Sequence, residues 1–264
     1  AGRVNTRVMV LDRPNPINGV SVEGNMIGAA HRSFVGAYPL ANRHGMTVAE
    51  LSRYFQKYCD VRCETTIIPC EGWQRDQWFD DVNGPWVYPS PNMPTLETAT
   101  IYPGMCLVEG VNLSEGRGTT RPFHLMGAPW IDPQRLTRLA TELARENGLR
   151  GVIFRPAAFN PGFQKHAGAA CRGIEVHVTD RNVLNATLLG MVCVAAGYQC
   201  DPENFAWRTE TYEFIDTPIA IDLLTGGSDY RRCVEAGGSL KTLYDSWSDS
   251  LRAFIERREA CLLY

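Results

Sequence analysis

Apolar and polar positions along this chain place most of its regular elements. Arg7-Val-Met-Val-Leu11 reads as a buried strand and Thr65 to Pro69 as a second, shorter one. Between them Val48, Leu51, Phe55 and Tyr58 recur at helical spacing. Thr47 and Glu50 form a Thr-x-x-Glu capping box at the start of that run, so a helix from Thr47 to Tyr58 is predicted. The apolar run Ile101 to Val108 is predicted as a strand. Asp132 followed by Pro133 opens a helix that Gly148 stops. Val152 to Arg155 and Gly173 to Thr179 read as strands; in the second, Ile174, Val176 and Val178 alternate with Glu175 and His177. Asp180 is expected to cap a helix reaching Gly197, and further helices are expected near Asp229–Ala236 and Leu240–Arg258.

Two long stretches lack this patterning. Residues 12–46 are dense in Pro, Asn and Gly, and residues 70–131 carry Trp73, Trp78, Trp86 and Trp130. Both are expected to be long ordered loops, which in compact domains are usually functional. With no repeat, low-complexity tract or linker, the predicted fold class is α/β (α+β mixed), strands and helices joined by long Gly/Pro/Trp-rich loops. A core strand this close to the first residue is unusual, so an upstream part is expected to be missing.

Composition narrows the function classes. The 264 residues make one to two domains at about 150 residues each. With 44% hydrophobic and 21% charged residues, a disordered chain, a collagen-like fibre and a coiled coil are excluded. Basic residues number 26 against 29 acidic, which leaves no surplus to neutralise phosphates, so nucleic acid is not expected as a main partner. The longest apolar-rich stretch, Asn182 to Tyr198, is interrupted by Asn185, Thr187 and Gly190 and is too short to span a membrane. Nine cysteines include Cys59, Cys63 and Cys70, without CxxC spacing or a following zinc-type His. They read as scattered buried thiols, although export would admit one or two disulfides. No metal site is expected. No cofactor is expected either, because the dinucleotide and phosphate-loop fingerprints are absent, as are the common serine-nucleophile motifs.

Three segments carry candidate chemistry. Glu109-Gly-Val-Asn-Leu-Ser-Glu-Gly-Arg-Gly-Thr-Thr120 sets two carboxylates, Asn112 and Arg117 among glycines that let the backbone approach a ligand. Its bland alternative is a glycine-rich turn with solvated charges. Glu71-Gly-Trp-Gln-Arg-Asp-Gln-Trp-Phe-Asp-Asp81 alternates aromatics with acids, which suits sugars: rings stack on aromatic faces and carboxylates bind hydroxyls. The alternative is a Trp-rich core edge with Arg75 paired to Asp76 or Asp80. Asp12 to Asn18 ends a predicted strand, where open α/β sheets hold ligands, or is a Pro-stiffened Asx turn. His44 precedes a helix N-terminus, whose dipole favours a neutral ring. His31 and His166 read as surface residues and His177 as an ordinary sheet residue.

Taken in order, these strings resemble one family closely. They are Leu11-Asp-Arg-Pro-Asn-Pro-Ile-Asn-Gly19, Val22-Glu-Gly24, Arg43-His-Gly-Met-Thr47, Glu71-Gly-Trp73, Trp78-Phe-Asp-Asp81, Pro89-Ser-Pro-Asn-Met93, Asn112-Leu-Ser-Glu-Gly-Arg-Gly-Thr119, Gly127-Ala-Pro-Trp-Ile-Asp132, Cys171-x-Gly173 with Val176-His-Val-Thr-Asp180, and Leu262-Leu-Tyr264. The chain resembles the NamZ family of exo-β-N-acetylmuramidases, glycoside hydrolase family 171, over nearly its whole length.

That resemblance implies an exo-acting glycoside hydrolase that releases N-acetylmuramic acid from the non-reducing ends of peptidoglycan fragments in cell-wall turnover. Muramyl glycans would be its partners. It implies residues 1–69 as the end of a Rossmann-like N-terminal subdomain and 70–264 as the C-terminal subdomain, with the site in the cleft between them. The family's upstream Pro-Glu-His-Gly motif, whose Glu is a catalytic candidate, is not in this sequence, so a non-catalytic muramyl-glycan-binding fragment is the alternative. Glycosidases usually use two carboxyls, or one acid and an orienting carboxylate when the acetamido group assists. Glu109 is the expected acid, with Asp76, Asp81 or Glu115 as lesser partners. Arg117, or else Arg13 or Arg75, is expected at the lactyl carboxylate. Asn15, Asn18, His44, Asn92 and Asn112 are expected at hydroxyls or the acetamido group, Asp76 at a hydroxyl, and Trp73 or Trp78 against the sugar ring. Periplasmic or secreted localisation is implied, while nine cysteines also fit a reducing cytosol.

Overall fold

The computed structural model describes residues 1–264. Its strands are β1 (Val8–Leu11), β2 (Glu23–Met26), β3 (Ala41–Arg43), β4 (Thr65–Ile68), β5 (Leu125–Ala128), β6 (Val152–Phe159) and β7 (Cys171–Val178). Its helices are α1 (Val48–Tyr58), α2 (Leu96–Met105), α3 (Pro133–Glu146), α4 (Ala186–Cys200), α5 (Ala220–Thr225), α6 (Asp229–Glu235), α7 (Leu240–Ser246) and α8 (Ser248–Glu259). The mixed α/β class is as expected.

Two layers of packing position the site. In the larger, β5, β7 and β6 form an antiparallel sheet in that order, with Val152 opposite Val178 and Phe159 opposite Cys171. Helices α3 and α4 bury its apolar face in one continuous core that includes Met126, Ile174, Val176, Leu136 and Leu189. Helix α2 lies against α4 at Gly104 and Gly190. A Cβ on Gly104 would sit 1.7 Å from the Ala186 carbonyl oxygen, so only glycine permits this approach.

The smaller layer pairs β1 with β4 in parallel, Val8 opposite Thr65 and Leu11 opposite Ile68, beside α1. Met9, Leu11 and Ile68 leave its other face exposed. The β2–β3 hairpin, α1 and α8 close over Ala41, Met46, Tyr54, Phe254 and Cys261. The predicted capping box is present: Glu50 N donates to Thr47 Oγ1 at 3.3 Å and Thr47 N donates to Glu50 Oε2 at 2.9 Å. Asp132 caps α3 as expected, accepting from Gln134 N and Arg135 N.

Several expectations are corrected. Ile101 to Val108 is no strand: Ile101–Met105 ends α2, and Cys106–Gly110 is a 3-10 turn. The run is buried on nearly all sides, and such a run has no periodicity to separate helix from strand. Residues 12–46 contain β2 and β3, and residues 70–131 contain α2 and β5. Asp180 does not cap α4; its side chain accepts from Asn182 N, and Asn185 caps the helix by accepting from Leu188 N at 2.8 Å. Trp247 breaks the expected Leu240–Arg258 helix into α7 and α8, and α5 escaped the reading altogether. All nine cysteines are free thiols.

Candidate functional site

A cleft of about 930 Å3 opens between the Arg13–Ile17 loop, β3 with the start of α1, the last turn of α2, the Arg117 loop, Tyr212 and the end of α5. Arg13, Asn15, His44, Asn92 and Arg117 line it; Asn18, Arg75, Asp76, Trp78, Asn112 and Glu109 do not. Arg43, Asn42, Tyr102 and Tyr212 line it without having been anticipated. Arg43 had a signal in its motif beside His44; Tyr212 had none.

The floor of the cleft is fixed by a buried polar junction. Asp12 Oδ2 accepts from Thr47 Oγ1 at 2.7 Å and from the C-terminal Tyr264 hydroxyl at 2.8 Å, and Asp12 Oδ1 accepts from Ala49 N at 3.0 Å. A carboxylate at this end of α1 also opposes the helix dipole. Glu50 pairs with Arg75 and accepts from Leu263 N at 2.9 Å. Arg75 and Arg258 both donate to the carbonyls of Gly19 and Gly45. Arg75 therefore spends its guanidinium on the scaffold. Asn18, in the left-handed region at φ 63, accepts from Val20 N and Ser21 N and makes a turn. Trp78 is buried, with Nε1 donating to Asn182 Oδ1 at 3.0 Å and the guanidinium carbons of Arg43 and Arg181 at 5.5 and 4.6 Å from its ring centroid. The Trp73 ring packs on Tyr264. Asn112 ties its loop to Asn204 and Ala206, and Asp76 is exposed.

Within the cleft, His44 Nδ1 accepts from Met46 N at 3.0 Å, which leaves Nε2 as the protonated, donating nitrogen of a neutral ring. Burial and then the charge of Arg258 push its pKa down to about 4. The expected neutral histidine is present, but burial rather than the helix dipole is the main cause. Asn15 uses its side chain locally, donating to the Met46 carbonyl and accepting from Ile17 N. Asn92 makes no hydrogen bond through its amide.

No Asp or Glu lines the cleft, while three arginines do. Two of them are already paired. Arg43 donates to Glu23 Oε1 at 2.5 Å and to the Ile17 carbonyl. Glu23 Oε2 in turn accepts from Thr187 N in the first turn of α4. Arg117 donates to Glu109 Oε1 at 2.8 Å and to Glu115 Oε1 at 2.9 Å. Burial disfavours its charge, but the two carboxylates outweigh burial and hold it charged. Lys165 completes this cluster, 2.8 Å from Glu115 and donating to the carbonyls of Val108 and Val111. Tyr212 donates to Glu109 Oε2 at 3.1 Å, so both oxygens of Glu109 are occupied. Burial and the Glu109 charge push the Tyr212 hydroxyl up. Arg13 alone of the three has no hydrogen-bond or ion-pair partner. Pro14 holds it extended on a loop pinned by Asn15 and by Phe79 N donating to the Pro16 carbonyl.

His166 is half-buried rather than a free surface residue, with Nε2 at 2.8 Å from the Asn112 carbonyl. His177 lies on β7 as expected. No cluster of three or more His, Cys, Asp or Glu is grouped to hold a metal ion.

Fold and cleft thus define an α/β protein with a largely apolar cleft that carries three arginines, a neutral histidine and several asparagine amides. Comparison with known proteins narrows this class. The profile of the exo-beta-N-acetylmuramidase NamZ N-terminal region matches residues 1–97 and that of its C-terminal region matches residues 100–264. Peptidoglycan beta-N-acetylmuramidase NamZ of Bacillus subtilis (strain 168) is 40% identical over 256 residues, which are 97% of this chain and 59% of that protein. The chain therefore belongs to the NamZ family, and it spans less than two thirds of that curated relative. Two solved DUF1343 family proteins of Bacteroides fragilis NCTC 9343 share the fold. One superposes with a TM-score of 0.86 at 24% identity, covering 100% of this chain and 68% of the other. The second gives 0.72 at 23%, covering 100% and 67%.

Proposed function

We propose that this chain carries the substrate-binding part of an exo-acting glycoside hydrolase that releases N-acetylmuramic acid from the non-reducing ends of peptidoglycan fragments. The observation that supports this best is the unpaired Arg13 at a largely apolar, carboxylate-free cleft, in a member of the NamZ family. Muramic acid differs from glucosamine by a lactyl carboxylate, and a cation selects it. Arg117 is already shared between Glu109 and Glu115, whereas Arg13 is free, so Arg13 is assigned to that carboxylate. The amide of Asn92 and Nε2–H of His44 serve the acetamido group and hydroxyls. The division at residues 69 and 70 into two subdomains belongs to the same reading. So does a periplasmic or secreted location; no helix is long and apolar enough to cross a membrane.

Glu109 is the carboxylate nearest this chemistry. Protonating it would break its ion pair with Arg117, which fits an orienting carboxylate better than a proton donor. The occupied oxygens of Glu109 and the absence of a carboxyl from the cleft lining favour the second reading, a muramyl-glycan-binding piece without turnover.

The test is calorimetry of the chain with N-acetylmuramic acid and with N-acetylglucosamine, beside hydrolysis of a chromogenic N-acetylmuramic acid glycoside. Preference for muramic acid, reduced about ten- to a hundredfold by Arg13→Ala, is expected from loss of one charge-assisted contact. Turnover separates enzyme from binding piece. Equal affinity for the two sugars would remove the proposal.

A further inference from the structure

Two hairpin tips from distant parts of the sequence meet at the mouth of the cleft. In the first, Ser33 and Gly36 exchange backbone hydrogen bonds of 3.2 Å around Phe34 and Val35. In the second, Tyr212 and Ile215 exchange bonds of 2.9 and 3.0 Å around Glu213 and Phe214. Phe34 is 76% exposed and Phe214 85% exposed, yet their rings meet edge to face at 6.2 Å. Phe34, Val35 and Tyr212 line the cleft.

The second tip is strained. Glu213 has φ 46 and Phe214 φ 70, the turn geometry that selects Asn-Gly and penalises side chains with a Cβ. The base of this hairpin is fixed: Thr211 Oγ1 donates to Asp216 Oδ1, Tyr212 donates to Glu109, and Tyr212 packs with Ala220 and Leu223. A bulky ring is thus held in a left-handed conformation where it buries almost nothing. Strain of this kind, without a packing return, marks a position kept for a ligand.

We propose that Phe34 and Phe214 form a stacking subsite for the neutral sugar ring linked to the muramic acid. This rests on the muramyl-glycan reading above. Pyranose rings present an apolar C–H face that packs on aromatic rings, and the exposed carboxylate of Glu213 beside Phe214 disfavours a second anionic sugar. The cleft lies near the upper end of the roughly 300–1,000 Å3 range of ligand pockets, so it has room for more than one ring. With the carboxylate held at Arg13, the rest of an exo-bound glycan leaves through the mouth that these rings flank.

Calorimetry of the 264-residue chain with N-acetylmuramic acid and with an S-linked muramyl-glucosamine disaccharide tests this. The disaccharide is expected to bind about tenfold more tightly than the monosaccharide. Phe34→Ala and Phe214→Gly should each remove most of that gain, and Phe214→Gly, whose ring lies outside the cleft lining, should leave monosaccharide affinity unchanged. Phe214→Gly relieves the positive φ, so loss of the gain in that variant is not a folding defect. A gain that survives in the double variant overturns the subsite alone. No binding of either sugar to the wild-type chain overturns the muramyl-glycan reading, and the subsite with it.

Discussion

His44 gives the sharpest physical prediction, because its environment is built against a charge. Its ring is neutral in the fold, with Nδ1 already accepting from Met46 N and Arg258 close enough to repel a proton. Its pKa falls from 6.5 to about 4 on folding. The unfolded chain then binds an extra proton between these limits, so stability is full above pH 6.5, falls as the pH drops, and reaches its lower plateau near pH 4. At about 1.4 kcal/mol per pH unit, the gap amounts to about 3 kcal/mol. The ring edge that faces the cleft keeps some solvent, so about 2–3 kcal/mol is the working figure. Urea unfolding of the wild type and of His44→Gln at pH 7.0 and at pH 4.5 isolates this contribution, since other groups titrate in both proteins. The wild type should lose about 2 kcal/mol more than the variant over that interval. A parallel NMR titration should place the His44 midpoint near 4. Equal pH slopes for the two proteins, or a midpoint near 6.5, would sink the argument that this histidine stays a neutral donor at the cleft.

Other consequences are equally concrete. Gly104→Ala drives a methyl into the Ala186 carbonyl, and Gly190→Ala drives one to 1.9 Å from the Gly104 carbonyl. Either should cost about 3 kcal/mol, the top of the overpacking range, and lower Tm by about 6–12 °C by circular dichroism. Tyr264→Phe removes a hydroxyl that donates to Asp12 and accepts from Cys70 N. It should cost about 1–3 kcal/mol in urea unfolding, while Tyr88→Phe, an exposed control, should cost nothing measurable. Glu109→Gln in an intact family enzyme should lower kcat for a chromogenic N-acetylmuramic acid glycoside by about 100-fold or more, and should also cost about 1–3 kcal/mol in urea unfolding because Arg117 loses one of its two carboxylates. An unchanged kcat would remove Glu109 from the chemistry.

The sequence was most legible where one face of an element is buried and its end is capped by its own residues. Helices α1 and α3 meet both conditions, and their starts at Thr47 and Asp132 were read correctly. Helix α4 has its own cap in Asn185 but no single buried face. Apart from Tyr198 and Gln199 it is buried all round, so nothing in its pattern distinguished the Asx turn at Asp180 from the cap at Asn185. The α2 run failed for the same reason, and it moved Glu109 from an expected strand end onto a 3-10 turn. For the site, spacing identified the right loops but not which side chains face the cleft. The partners of Arg75, Asn112 and Trp78 include Tyr264, Asn204 and Asn182, and no local rule foretells such contacts.

Pairing, more than residue type, separates scaffold from site in this protein. Arginines 75 and 117 resemble ligand-binding groups in the sequence, yet they, like Arg43 and Arg258, are spent on carboxylates or carbonyls of the chain itself. A buried charge without such a partner would cost several kcal/mol, so these pairs are what the fold requires before any ligand arrives. Arg13 and Asn92 are under no such requirement. They sit on the cleft with donors unspent, beside a histidine kept neutral by burial. A ligand gains most from donors that give up only water to meet it, because displacing an internal partner returns the cost of leaving that partner unpaired. For that reason the proposed lactyl-carboxylate site is Arg13 and not Arg117, although Arg117 lies in the more conspicuous glycine-rich motif.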